Sequence, residues 1–206
     1  MTHAHTFRKF ALPVAALAAA LALTSCGADS AAVRDTSGAA ASAGAAAVGD
    51  KNEADTLFAT MMIPHHAQAV EMADLALTNA TDPKVKALAS KIKGAQGPEI
   101  ARMSGWLTGW GEPVPGTAGG SDMSGMSGMG DETGGMMSEQ QMTDLGAAKG
   151  PGFDRMWLQM MITHHEGAVA MAKDELDKGT NPEAKQLAQA IIDGQSAEIA
   201  EMRSSL

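Results

Sequence analysis

Two adjacent histidine pairs, His65-His66 and His164-His165, hold every histidine of the chain except His3 and His5. Two methionines stand four residues ahead of each pair: Met61 and Met62 before the first, Met160 and Met161 before the second. Thioether and neutral imidazole are the soft, uncharged donors that suit Cu(I), and imidazole accepts both copper oxidation states. At about 100° per residue on a helix, Met61, His65 and Met72 fall within about 40° of one another, with Met62 and His66 on the adjacent face. The second pair repeats this, with Met160, His164 and Met171 on one stripe and Met161 and His165 beside it.

The elements that must position these residues follow from a repeat. Sliding the sequence by 99 residues aligns 55–103 with 154–202 without a gap, and 22 of those 49 positions are identical. Gln96, Glu99 and Met103 thereby match Gln195, Glu198 and Met202, each trio lying within about 60° on a helix. Asp82-Pro83 and Asn181-Pro182 read as a helix N-cap followed by proline at the first helical position. Each unit is therefore expected to be a helical hairpin. With a hinge near Thr81, His65 lies 16 residues before it and Glu99 18 after, so the two reach nearly the same level, and Met61 faces Met103. One hairpin cannot cover its own apolar face, so two are expected to pack as a four-helix bundle, an all-α fold.

Along the chain, residues 51–110 form the first hairpin repeat, 111–137 a linker rich in Met, Gly and Ser, and 138–206 the second repeat. A break is expected at Gly150-Pro151-Gly152. Pro64 should interrupt its helix by freeing the Thr60 carbonyl, whereas the matching Thr163 should not. The two halves are accordingly expected to differ in openness or affinity.

Residues 1–25 have the form of a secretory signal, with Arg8 and Lys9 ahead of an apolar stretch from Phe10 to Leu23. Leu23-Thr24-Ser25-Cys26 resembles the lipobox of bacterial lipoproteins, a resemblance that implies cleavage before Cys26 and its acylation. Several acyl chains would give stable membrane attachment at the outer face of the cell membrane. Cys26 is the only cysteine, so no internal disulfide is possible. Residues 26–50, almost all Ala, Gly and Ser, read as a flexible tether. Removing Arg8 and Lys9 leaves 13 basic against 24 acidic residues, a net charge of −11, which argues against a nucleic-acid partner.

The linker adds Met123, Met126 and Met129, then Met136, Met137 and Met142. A Gly/Ser segment has no packing reason to hold so many thioethers, and such a strand can wrap a soft ion. Glu99 and Glu198, with Met103 and Met202, are the candidate ligands on the partner helices. The competing reading is that the helical methionines fill the core, their commoner role, and that the two carboxylates satisfy buried histidine protons with no metal at all.

The motif Met-Met-Ile-x-His-His-x-x-Ala-Val-x-Met-Ala at 61–73 and 160–172, with Gln-x-x-Glu-Ile-x-x-Met at 96–103 and 195–202, resembles domain-of-unknown-function family 305. That resemblance covers about 150 residues and implies an exported protein with a ferritin-like helical bundle. It also implies copper, since some members are associated with copper binding and tolerance outside the cytoplasm. The expected function is thus a copper-binding lipoprotein that sequesters Cu(I) or hands it to a transfer protein. The alternative is a metal-free helical scaffold or interaction protein of the envelope. An enzyme is not expected: neither the Glu-x-x-His of di-iron bundles nor the His-Glu-x-x-His of zinc proteases occurs.

Overall fold

Asn52 and Asp55 exchange side-chain-to-backbone hydrogen bonds in a capping box, and this starts helix α1 (Glu53–Asn79). The computed structural model describes residues 49–116 and 134–206, and four more helices follow within them. They are α2 (Pro83–Trp110), α3 (Glu139–Ala147), α4 (Gly150–Lys178) and α5 (Pro182–Ser204). Asp82 and Asn181 cap α2 and α5 through their side chains, with proline in the first turn as the sequence predicts. Gly111 ends α2 in the left-handed region at φ 74°, where a side chain would be strained.

Two expectations need correction. The break before α4 falls at Ala148-Lys149, and Gly150-Pro151-Gly152 form the first turn of α4. Proline is at home there because first-turn N–H groups have no helical partner to lose. Helix α1 runs through the buried Pro64 as one element, as α2 does through Pro98. Losing one backbone hydrogen bond does not stop a helix held by tertiary packing along its length.

Helix α1 packs along α2, α4 along α5, and α1 against α4, with the short α3 laid on α1 and α4. The chain is thus all-helical, its four long helices forming two hairpins as the repeat requires. Among the described residues no helix is long and apolar enough to cross a membrane.

Two apolar clusters lie at opposite ends of the bundle. One joins Met72, Ala73 and Ala76 of α1 and Leu88 and Ile92 of α2 to Phe153, Trp157 and Met161 of α4 and Met202 of α5. The other joins Phe58, Met62 and Ile63 to Met103 and Leu107, and these to Ala168, Ala172, Leu187 and Ile191. The C-terminal half of α1 meets the N-terminal half of α4, so these helices run antiparallel and the hairpins are related by a pseudo-two-fold axis.

The same relation appears at the hinges. Asp154 of the second hairpin accepts hydrogen bonds from Thr81 N (3.0 Å), Thr81 Oγ1 (2.6 Å) and Asp82 N (3.0 Å). Asp55 of the first hairpin accepts from Thr180 N (3.0 Å), Thr180 Oγ1 (3.0 Å) and Asn181 N (2.8 Å). Each repeat holds the other's turn. Asp55, Asp154, Thr81 and Thr180 are identical pairs in the repeat alignment, which was the available signal. Nothing local says that the bonds cross between repeats.

Candidate metal centre

Between the two apolar clusters, at mid-height of the bundle, lies a polar layer. His65, His66 and Gln68 come from α1, Gln96 and Glu99 from α2, His164 and His165 from α4, Gln195 and Glu198 from α5. All four imidazoles are buried, none more than 1 % exposed. The rings of His65 and His164, which occupy equivalent positions of the repeat, meet on the pseudo-two-fold axis with centroids 3.8 Å apart. The His164 and His165 rings are 6.3 Å apart. The sequence placed each His pair within its own hairpin; packing of α1 against α4 merges them into one layer.

The hydrogen bonds decide which imidazole meets which carboxylate. Glu99 accepts from His66 Nε2 (2.7 Å), not from His65, and Glu198 accepts from His165 Nε2 (2.9 Å). His65 Nε2 donates instead to the Gly134 carbonyl at 2.8 Å. Helical periodicity gives relative angles within one helix, whereas the roll of α1 against α2 decides which residue faces the carboxylate.

These partners determine what the rings can do. A carbonyl or carboxylate oxygen only accepts, so it fixes a proton on Nε2; in the neutral ring Nδ1 is then a bare lone pair. The Nδ1 atoms of His65, His66 and His165 have no hydrogen-bond partner in the protein, and His164 has none at either nitrogen. Gln96 Oε1 and Gln195 Oε1 are likewise buried and unpartnered. Burial pushes His65 down to about 3, helped by the neighbouring His66. Burial and the surrounding imidazoles lower His164 well below the ordinary histidine range, and burial lowers His165 against the opposing pull of Glu198. Neutral imidazole is the ligating form.

The methionines divide. Met62, Met72, Met103, Met161 and Met202 are fully buried in the apolar clusters. Met61 is half-buried on α1, and Met160 and Met171 pack at the edges of the two clusters. Met61 therefore does not share a cluster with Met103, as the hairpin register had suggested. Met123, Met126, Met129 and Cys26 lie outside the described residues. Among the described residues no three His, Cys, Asp or Glu side chains form a metal cage by themselves. Any bound ion would draw on the imidazole pairs, and a soft ion needs no carboxylate cage. The buried, unengaged lone pairs fit such an ion.

The described geometry matches known proteins. The model of the family "Domain of unknown function (DUF305)" matches residues 55–206. CopM in its Cu(II)-bound form is 36% identical, with a TM-score of 0.60 over 73% of this chain and 93% of that one. CopM has also been solved in Cu(I)-bound, Ag-bound and apo forms. A DUF305 protein from Streptomyces coelicolor, assigned as secreted, is 34% identical, with a TM-score of 0.64 over 74% of this chain and 91% of that one. A DUF305 fragment from Deinococcus radiodurans is 30% identical, with a TM-score of 0.65 over 76% and 97%. No curated protein matches the chain.

Proposed function

The chain belongs to the DUF305 family, and from that premise we propose that it is an exported, lipid-anchored copper-binding protein that takes up Cu(I) through its central histidine layer. The observation that carries the proposal is the set of buried imidazole nitrogens left without partners. An orphaned polar group in a protein interior costs about 1–3 kcal/mol, and four such rings in one layer are retained against that cost. Glu99 and Glu198 hold the far nitrogens of His66 and His165, the arrangement by which carboxylates orient metal-ligating imidazoles. His65 and His164 are the first candidates to hold the ion, with His66 and His165 flanking them. Met61, Met160 and Met171, less enclosed than the cluster methionines, are candidates to add thioether donors.

Copper-bound structures of CopM support copper as the cargo. The apolar stretch from Phe10 to Leu23 and the Leu-Thr-Ser-Cys that ends at Cys26 support export and lipid attachment, which leaves the bundle facing a compartment where thiolates are scarce. Sequestration and delivery to a transfer protein use the same ligands and differ in exchange rate.

The test is Cu(I) competition against a chromophoric chelator, using protein carrying Cys26→Ser. The His65→Ala/His164→Ala variant is expected to lose affinity by at least tenfold, and Met123, Met126 and Met129 replaced by Leu to lose less. Wild-type protein that fails to compete, or a double variant with unchanged affinity, would favour the metal-free scaffold.

A further inference from the structure

The bundle is duplicated, but its central layer is not symmetric, and the asymmetry comes from one short segment. Residues Gly134 to Met137 lie across α1 and α4 at the level of the histidines. Met137 N donates to Gln68 Oε1 (2.7 Å) and Gln68 Nε2 donates to Met137 O (2.8 Å), a reciprocal buried pair resembling a rung of sheet. Upstream, the chain turns through two successive left-handed glycines, Gly134 at φ 54° and Gly135 at φ 82°. This turn delivers the Gly134 carbonyl to His65 Nε2. The approach requires a bare backbone on α4: a Cβ at Gly167 would overlap the Gly134 carbonyl, and one on Gly135 would press on Thr163 O.

Gln68 and Gly167 occupy equivalent positions of the repeat, 99 residues apart. One copy carries the amide that grips the segment, and the other has no side chain where the segment passes. Two matched positions have thus diverged in complementary directions for one docked strand.

We infer that Gly134–Met137 is a positioning clasp that sets the tautomer of His65, supplying from the backbone what Glu99 and Glu198 supply to His66 and His165. It locks the His65 proton on Nε2 and turns the Nδ1 lone pair to the ligand. His164, its counterpart on the axis, has the His65 backbone beside it but makes no hydrogen bond of ordinary geometry at either nitrogen, so both stay available. The two central histidines are therefore inequivalent, one fixed and one adjustable. As a statement about metal ligation this rests on the copper reading above; as a statement about the His65 imidazole it does not.

The test uses Gly167→Ala in the full chain. Alanine favours the helix while its Cβ excludes the Gly134 carbonyl, and Gln68→Ala loosens the clasp from the other side. Long-range nitrogen–proton NMR of labelled histidine reads the His65 tautomer without metal, and Cu(I) competition reads affinity. In wild-type protein His65 is expected as the pure Nε2–H tautomer. Gly167→Ala should give a mixture and weaken Cu(I) by about 10–100-fold, the usual effect of losing an outer-shell partner; Gln68→Ala should do so to a lesser degree. An unchanged tautomer in both variants overturns the clasp, and so does a gain in affinity, which would make the segment a competitor for the site. If wild-type protein binds no Cu(I), the copper reading fails. The tautomer measurement then decides the clasp alone.

Discussion

Replacing His164 and His165 in turn by leucine should move stability in opposite directions, although the residues are neighbours. Both rings are buried, and leucine is close enough in volume for the swap to be tolerated. His164 makes no hydrogen bond at either nitrogen. Leucine removes an orphaned donor and acceptor, a relief of about 1–3 kcal/mol, and buries more apolar surface, against roughly 1 kcal/mol or more of imperfect packing. His164→Leu should therefore stabilise the metal-free protein by about 1–2 kcal/mol. His165 by contrast donates to Glu198, whose side chain is only 7% exposed. Leucine there strips a buried carboxylate of a charge-assisted bond of about 1.5–3 kcal/mol, so His165→Leu should cost about 1–3 kcal/mol. Urea denaturation in the presence of a chelator measures both, with the denaturant slope unchanged. In a domain of this size each kcal/mol moves Tm by about 2–4 °C. Loss of more than 1 kcal/mol in His164→Leu would refute the reasoning. It would mean that the His164 nitrogens are satisfied in solution and the ring is structural, not held ready for a ligand.

Three further outcomes follow from the same geometry. His65 titrates at about 3 when folded against an ordinary 6.5, so between those values the unfolded chain binds a proton that the folded one refuses. Stability of the metal-free protein should fall as pH drops below 6.5, by up to about 1.4 kcal/mol per pH unit from His65 alone. His164 and His165 add in the same direction, and urea midpoints that stay flat from pH 7 to 5 would contradict it. Glu175, replacing Ala76 of the first repeat, is pushed up to about 8 by burial and by the adjoining Asp55. Here the folded state keeps a proton that the unfolded chain gives up, so the Glu175 contribution declines as pH rises from 4.5 through 8. It opposes the larger histidine effect below pH 6.5 and shows by itself above it, where stability should fall towards pH 8 and Glu175→Gln should flatten that limb. Asp154→Ala, which strips Thr81 and Asp82 of their acceptor, should cost about 2–4 kcal/mol in urea melts. Asp55→Ala should cost more, because Asp55 also closes the α1 capping box; a neutral Asp154→Ala would remove the crossed latch.

The sequence alone determined whatever depends on neighbours along the chain. Asp82-Pro83 and Asn181-Pro182 cap α2 and α5 as written, since a cap needs only the next turn of its own helix. The repeat implied two hairpins and an all-helical fold, because an apolar stripe must be covered by an equivalent one. The His-His pairs and their carboxylates stood out by residue type. Tertiary structure decided which of them meet. A helical projection cannot show how α1 rolls against α2, so it put Glu99 level with His65 without showing that packing gives its carboxylate to His66. Nor can it place one hairpin on another, which is what brings His65 to His164 and sends the Asp55 and Asp154 carboxylates to the opposite repeat's hinge. Gln68 and Gly167 read as ordinary divergence between repeats until the segment from Gly134 is laid across them. Contacts between elements far apart in sequence are set by shape complementarity over whole helices, and no local pattern encodes them.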